Sequence, residues 1–465
     1  MARDLSDLTP ITSRAELVAW FEAGCKPRDQ LRIGTEYEKF PFYRADLRPV
    51  PYDGRPPRGG DGIAALIAGM RQRTGWQEIT DSGAVIGLFD PQAAPGEGGA
   101  ISLEPGGQFE LSGAALQTVH ESAAELTAHL ALANEVARPL GVGFLGLGLS
   151  PTWTLAETPI MPKSRYKIMM NYMPKVGSRG LDMMFRTATV QVNLDFCSEA
   201  DMVRKLRVSL ALQPVATALF ANSPFTEGRP NGFLSARSEI WRDTDNERAG
   251  MLPFVFENGM GFERYVDYAL EVPMYFVKRG AIYHDVAGSD FRDLLAGRLP
   301  QLPGEWATMS DWANHLSTIF PEVRLKRYLE MRGADAGSAA HMTALSAFFV
   351  GLLYDETSLD AACDLIRPWT SEQRQRLRDS VPKRALDASI GKHRLRDVAR
   401  EALAIARAGL TARNKLDARE RDETCYLDVL EERIDSGRVS AQLLLAQFEG
   451  AWHGDITRVF SACAL

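Results

Sequence analysis

Cysteine is scarce in this chain and never paired: Cys25, Cys197, Cys363, Cys425 and Cys463 lie far apart, with no C-x-x-C spacing among them. An odd, scattered set supports neither a zinc site nor a disulfide framework, so idle thiols are expected. Long apolar runs are missing too. Residues 341–354 are too few to cross a bilayer, and residues 208–221 are interrupted by Gln213 and Pro214. The first twenty residues mix Asp4, Asp7, Arg14 and Glu16 among their apolar neighbours instead of forming a signal-peptide core. A cytosolic protein with no membrane partner is expected. Positive charge is also in deficit: the formal net charge is -7 and no five-residue run of Lys and Arg occurs, which excludes an electrostatic footprint for nucleic acid.

Several catalytic signatures are absent. No G-x-x-x-x-G-K-S/T loop is present to cradle phosphates, and no G-x-S-x-G elbow to carry a serine nucleophile. His120-Glu121 begins an H-E-x-x-H zinc motif that fails at Ala124. Gly141, Gly143 and Gly146 spell G-x-G-x-x-G, but they follow a helical stretch and lead into Ser150-Pro151, which marks a close-packed strand and not a dinucleotide turn.

What is present is ordinary globular material. Of 465 residues, 45% are hydrophobic and 24% charged, enough to bury a large core. Ser13 with Glu16 predicts a capping box opening a first helix that ends near Gly24. Apolar residues then alternate with period two at 31–42, 84–89, 100–103, 108–111, 142–149, 187–196, 272–277 and 324–331, with helical runs at 63–72, 116–137, 198–221 and 262–270. Without regular β-α-β alternation, this predicts an α+β fold: one large, mainly antiparallel sheet flanked by helices. Residues 49–62, with Pro51, Pro56, Pro57, Gly59 and Gly60, read as a surface loop. After Tyr354 only helical spacing remains. The expected division is a catalytic body at 1–355 and a helical C-terminal subdomain at 356–465 packed on it.

The chemistry concentrates on strand faces. In RIGTEYEKF, Glu36 and Glu38 point one way while Ile33, Thr35 and Tyr37 point the other. ISLEPGGQFELSG adds Glu104 before a Pro105-Gly106-Gly107 turn, then Gln108 and Glu110 on one face. TVQVNLDF places Gln191, Asn193 and Asp195 together, and RYLEMRGAD does the same for Tyr328, Glu330 and Arg332. A solvated face would use Lys, Ser and Thr freely. Crowded carboxylates instead repel by several kcal/mol at an effective dielectric of roughly 20, unless a cation sits among them. Oxygen ligands without His or Cys suit Mg²⁺ or Mn²⁺. The inferred site is a carboxylate-lined bowl holding magnesium and a nucleoside triphosphate. Lys163, Arg165, Lys167 and Lys175 in MPKSRYKIMMNYMPKVG, and Arg237 in NGFLSARSEIW, supply positive charge. The two arginines are the stronger candidates, because a guanidinium grips carboxylate or phosphate with two bonds.

These segments, in this order, resemble the plant and proteobacterial glutamate–cysteine ligase family, which is related to glutamine synthetase within the carboxylate-amine ligases. The resemblance runs continuously over about residues 30–355 and more loosely through the tail. It implies a bowl-shaped antiparallel sheet and an ATP-dependent ligation of glutamate to cysteine, with several Mg²⁺ ions. It further implies Glu36, Glu38, Glu104 and Glu110 as principal metal ligands, with Gln191 and Glu330 completing that shell. Arg165 and Arg237 become the catalytic pair, and Lys163, Lys167, Asn193 and Arg332 join them, with Gln191, in binding substrate and phosphate. A monomer or weak homodimer is expected. Where plant members carry regulatory cysteine pairs, this chain has Ala123, Val286, Gln301 and Thr343, so a disulfide switch of that kind is not expected. Two other readings stay open at this point: a ligase of the same architecture using a different amine, and a non-catalytic nucleotide sensor.

Overall fold

The computed structural model of the chain describes residues 7–56, 59–94 and 97–465. Asp4 of the N-terminal reading and Pro57 of the predicted loop therefore fall outside it.

Among the described residues, nine strands form one sheet: β1 (Ile33–Tyr43), β2 (Gln77–Asp81), β3 (Ala84–Phe89), β4 (Ala100–Leu103), β5 (Phe109–Ser112), β6 (Val142–Leu145), β7 (Thr189–Leu194), β8 (Val323–Leu325) and β9 (Leu329–Asp335). Their order is β8-β9-β7-β1-β5-β4-β3-β2, and β6 pairs with the far half of β1. Every one of these pairings is antiparallel. The predicted α+β architecture is thus the observed one.

The period-two pattern sorts the two faces. Behind β1, β7 and β9, the residues Ile33, Tyr37, Val190, Val192, Leu194 and Met331 join the main core with the helices Glu199–Leu219 and Ala339–Leu353. Behind the other half, Leu88, Ile101, Leu103, Phe109 and Phe144 pack on the helices Ile63–Thr74 and Val119–Ala137. Each large apolar side chain buried in this way contributes about 1.5–3 kcal/mol. The polar front face is left to form the bowl. The helix Ala339–Leu353 is buried continuously from His341 to Leu353, so it shows no single apolar stripe in the sequence.

Beyond Tyr354 the elements are helices, apart from a hairpin of two-residue strands, Ser389–Ile390 against His393–Arg394, and isolated bridges at Leu416–Asp422 and Leu145–Ala464. Leu359, Leu377, Val398, Leu403 and Leu430 from these helices enter the same main core. Among the described residues, no helix is long and apolar enough to cross a membrane.

Local differences have local causes. Ser13 sits at the N-cap, but its hydroxyl donates to Glu16 at 3.0 Å and does not cap a backbone N–H; Glu16 also accepts the Thr12 N–H at 3.2 Å. The strand expected at 272–277 starts only at Phe276, in a hairpin of Phe276–Arg279 with Ile282–Asp285. The 324–331 run is broken by a turn in which the Lys326 N–H bonds to the Tyr328 carbonyl at 2.8 Å. β2 was not expected, because its residues lie at the sheet edge and are largely exposed, without an apolar face.

One charge lies on the buried face. Lys39 on β1 is 1% exposed; its Nζ donates to the Phe109 carbonyl at 3.2 Å and meets His129 Nε2 at 2.7 Å. Burial lowers Lys39 to about 7, and burial together with Lys39 pushes His129 well below its ordinary value. Between about pH 7 and the ordinary lysine range, the folded chain has lost a proton that the unfolded chain keeps, so stability rises with pH there. Lys39→Met should therefore gain more over wild type in unfolding midpoint at pH 6 than at pH 9. Equal differences at the two pH values would contradict this reading.

Candidate active site

The sheet register assembles the site. On β1, Glu36 faces Gln191 of β7, and Glu38 faces Glu110 of β5. On β9, Glu330 faces Asn193 of β7 and Arg324 of β8. A turn delivers Glu104 beside them: the Gly107 N–H bonds to the Glu104 carbonyl at 2.9 Å, with Gly107 at φ +87°. Gly106 packs so tightly that a Cβ there would lie 2.1 Å from the Phe185 carbonyl oxygen. Any other residue at Gly106 would push the Glu104 turn away from the sheet.

Glu36, Glu38, Glu104, Glu110, Gln191, Glu330, Arg165, Arg237 and Arg332 all line one cavity, together with Gln108, Arg324 and Lys326. The amides orient the acids. Gln191 Nε2 donates to Glu36 at 3.0 Å, Asn193 Nδ2 donates to the other oxygen of Glu36 at 3.2 Å, and the Thr189 N–H donates to Glu38 at 2.9 Å. Gln191 in turn accepts from Arg332, which links the acid wall to the basic one.

Charge is divided unevenly. Burial, then repulsion from Glu104 and Glu110, raises Glu38 well above the ordinary carboxylate range. Glu36 is raised by burial and Glu330, and Glu104 by burial and Glu110. Glu330 goes the other way. Burial alone would raise it, but Arg324 at 2.6 Å, Lys326 at 3.2 Å and Arg332 at 2.8 Å hold it well below that range.

Arg237 sits on the short helix Ala236–Ile240, capped by Ser235; its Nη2 donates to the Arg332 carbonyl at 3.0 Å. Arg165 lies on the helix Ser164–Tyr172, with its guanidinium 5.3 Å from the centroid of the Tyr166 ring. Lys163 is buried and bonds to the Leu103 carbonyl, lining a neighbouring cleft together with Arg165. Lys167 and Lys175 are exposed and line none of the described cavities. Asn193 acts behind the wall, through Glu36.

Sequence reasoning missed Arg324 and Lys326, although they continue the alternation of Tyr328, Glu330 and Arg332 backwards through VRLKRY. It also missed the apolar wall of Met169, Met183, Met184, Trp241, Phe276 and Phe320, because these residues come from separate short helices and strands.

The donor set fits a hard cation. Glu38 and Glu110 are directly opposed and buried, an arrangement that destabilises a sheet unless one of them keeps a proton or positive charge lies between them. All candidate donors are oxygens, as Mg²⁺ or Mn²⁺ prefers. Among the described residues, no three His, Cys, Asp or Glu side chains converge into a ready-made metal cluster. The acids line a cavity and do not enclose a point.

Comparison with known proteins shows the family and the fold. The family model described as glutamate-cysteine ligase family 2 matches residues 32–462. The chain is 52% identical to glutamate–cysteine ligase B, chloroplastic, of Oryza sativa subsp. japonica over 453 residues, covering 97% of this chain and 87% of that one. It is also 52% identical to the chloroplastic glutamate–cysteine ligases of Nicotiana tabacum and Arabidopsis thaliana, over 97% of this chain and 82% of each. A glutamate–cysteine ligase from Francisella tularensis, solved in complex with AMP, shares the fold at a TM-score of 0.53 and 11% identity, over 94% of this chain and 88% of that one. Fold and site together define a ligase that joins a carboxylate to an amine. The chain belongs to glutamate–cysteine ligase family 2.

The relatives also correct one expectation. They are chloroplastic enzymes by name, so the cytosolic placement is withdrawn. It rested on the want of a secretory apolar segment, and that feature carries no information about plastids.

The charge division predicts opposite effects at two acids. Glu330→Gln strips three cations of their shared partner and should cost roughly 3–5 kcal/mol in urea unfolding. Glu38→Gln should raise the midpoint in the presence of a chelator and should gain less from added Mg²⁺ than wild type does. Equal loss in both variants would refute the division.

Proposed function

We propose that the cavity binds glutamate, cysteine and ATP, and that the chain makes γ-glutamylcysteine in two steps. The γ-carboxylate of glutamate attacks the terminal phosphorus of ATP, releasing ADP and forming γ-glutamyl phosphate. The cysteine amine then adds to the acyl carbon, the C–O bond to phosphate breaks, and the amine proton is lost. The observation that carries this reading is the opposed pair Glu38 and Glu110 in a cavity also lined by Arg165 and Arg237. A non-catalytic sensor has no need of such a costly acid wall.

Glu36, Glu38, Glu104 and Glu110 would hold Mg²⁺, for which Mn²⁺ could substitute. Bound there, the metal would supply positive charge that offsets the negative charge developing in phosphoryl transfer. Gln191 and Asn193 fix the carboxylate of Glu36, while Arg165 and Arg237 align the acceptor oxygen and the phosphoryl group. Glu330 anchors Arg324, Lys326 and Arg332, which face the triphosphate. Residues 1–355 act as the catalytic body and 356–465 as the helical subdomain behind it. Positioning and electrostatics supply most of the acceleration, and the apolar wall keeps water from the acyl phosphate.

The direct test is phosphate release with glutamate, cysteine, ATP and Mg²⁺, compared with other acid–amine pairs. Another amine used far better than cysteine would overturn the substrate assignment. Glu36→Gln and Glu104→Gln should nearly abolish turnover, and full activity of either at limiting Mg²⁺ would sink the metal assignment. Arg237→Ala should lose charged hydrogen bonds of roughly 1.5–3 kcal/mol, or about 10- to 100-fold in kcat/KM. Arg237→Lys should recover only part, because an ammonium lacks the two-pronged geometry. Parity between the Lys variant and wild type would count against that contact.

A further inference from the structure

Between Met331 and Ala334 the pairing of β9 with β7 slips. Met331 faces Val192 and Ala334 faces Val190, so Arg332 and Gly333 together stand opposite the single residue Gln191. The extra residue makes a β-bulge, which takes backbone groups out of the ladder and re-aims them. Here the two carbonyls of the bulge serve opposite sides of the sheet. On the cavity side, the Arg332 carbonyl accepts Nη2 of Arg237 at 3.0 Å. On the core side, the Gly333 carbonyl lies 3.0 Å from the hydroxyl of Thr217, in the helix Glu199–Leu219.

Arg237 depends on that bulge. Its side chain is buried, its Nε has no hydrogen-bond partner, and among the described residues the bond to the Arg332 carbonyl is the one its guanidinium makes. Arg332 has side-chain partners of its own in Gln191 and Glu330. The direction of the bulge carbonyl therefore sets the aim of Arg237 far more than that of Arg332. Behind the sheet, Thr217 is 2% exposed and lines none of the described cavities. Its hydroxyl also lies 3.0 Å from the Gln213 carbonyl, but it has one hydrogen to give. The α-helical repeat already pairs the Gln213 carbonyl with the Thr217 N–H, which leaves the hydroxyl for Gly333. Packing agrees. A Cβ on Gly333 would lie 2.7 Å from both Gln213 Nε2 and Glu322 Oε2. Neither can step aside, because Gln213 is fully buried and Glu322 is gripped by Arg378 at 2.8 and 2.7 Å.

We propose that Thr217 is a positioning residue for the ligation: from the helix behind the sheet, its hydroxyl holds the bulge at Arg332 and Gly333, and the bulge holds Arg237. The proposal rests on the ligase reading above and extends it to a residue outside the cavity. Without the hydroxyl, the Gly333 carbonyl loses its partner in the helix and the bulge is free to shift. The Arg332 carbonyl then shifts with it, and Arg237 loses its anchor on the cavity side.

The test is a double-mutant cycle between Thr217→Val, which exchanges the hydroxyl for a methyl group, and Arg237→Ala. Each protein is assayed for kcat and KM with glutamate, cysteine and ATP, and for calorimetric affinity toward glutamate and toward ATP with Mg²⁺. Thr217→Val should lower kcat/KM about 3- to 10-fold, the size of one buried hydrogen bond. Thr217→Ser keeps the hydroxyl and should restore most of that loss. In the Arg237→Ala background, Thr217→Val should change kcat/KM by less than about twofold, because the group it positions is gone. A merely structural role would give the same fold loss in both backgrounds, and that result would overturn the proposal. No loss in either background, or a Ser variant as poor as the Val variant, would overturn it too. If Thr217→Val does not fold, Gly333→Ala disturbs the bulge from the strand side and should show the same dependence on Arg237. Equal loss with and without Arg237 would be fatal there as well. Absence of ligation by wild type would refute the function, while the cycle in calorimetric affinities would still judge Thr217.

Discussion

Two carboxylates held face to face on neighbouring strands, Glu38 on β1 and Glu110 on β5, set the terms for the rest of this molecule. Sheet pairing fixes their separation, and burial removes the water that would screen them. Relaxing them would mean breaking the β1–β5 ladder, which carries the apolar back face of the sheet. The repulsion is therefore locked in by folding and is available to be relieved by a bound cation.

The basic side of the bowl is built by the opposite device. Glu330 collects Arg324, Lys326 and Arg332 so closely that these like charges occupy one wall without dispersing. Gln191 joins the two walls, donating to Glu36 and accepting from Arg332. The backbone of Arg237 is held through Ser223, whose hydroxyl accepts the Arg237 N–H at 3.2 Å and donates to Asp335 at 2.7 Å; Asp335 also accepts from Ser235 at 2.9 Å. Separate acid and base walls suit a reaction in which metal, triphosphate and carboxylate meet with fixed orientation.

Much of this was legible in the sequence, because a strand's side-chain period of two is a strict rule. Glu36 and Glu38, and Gln191 with Asn193, were assigned to one face from spacing alone, and the structure places them there. What stayed hidden depends on tertiary context. The helix Ala339–Leu353 is buried all round, so it has no periodic stripe, and edge strand β2 has no buried face. Arg324 and Lys326 share the parity of Glu330, yet an intervening turn separates them from it in the ladder. Lys39 has the parity of the apolar back face, where alternation puts it, although its charge alone would argue for solvent.

The central claim is that the front-face acids are not all ionised until a cation joins them. Titrating the protein with Mg²⁺ by calorimetry at neutral pH, in two buffers of different ionisation enthalpy, counts the protons exchanged on binding. Because burial and mutual repulsion raise Glu36, Glu38 and Glu104 above their ordinary range, the account predicts net proton release as the metal binds. Metal binding with no proton release, or no metal binding at all, would contradict it.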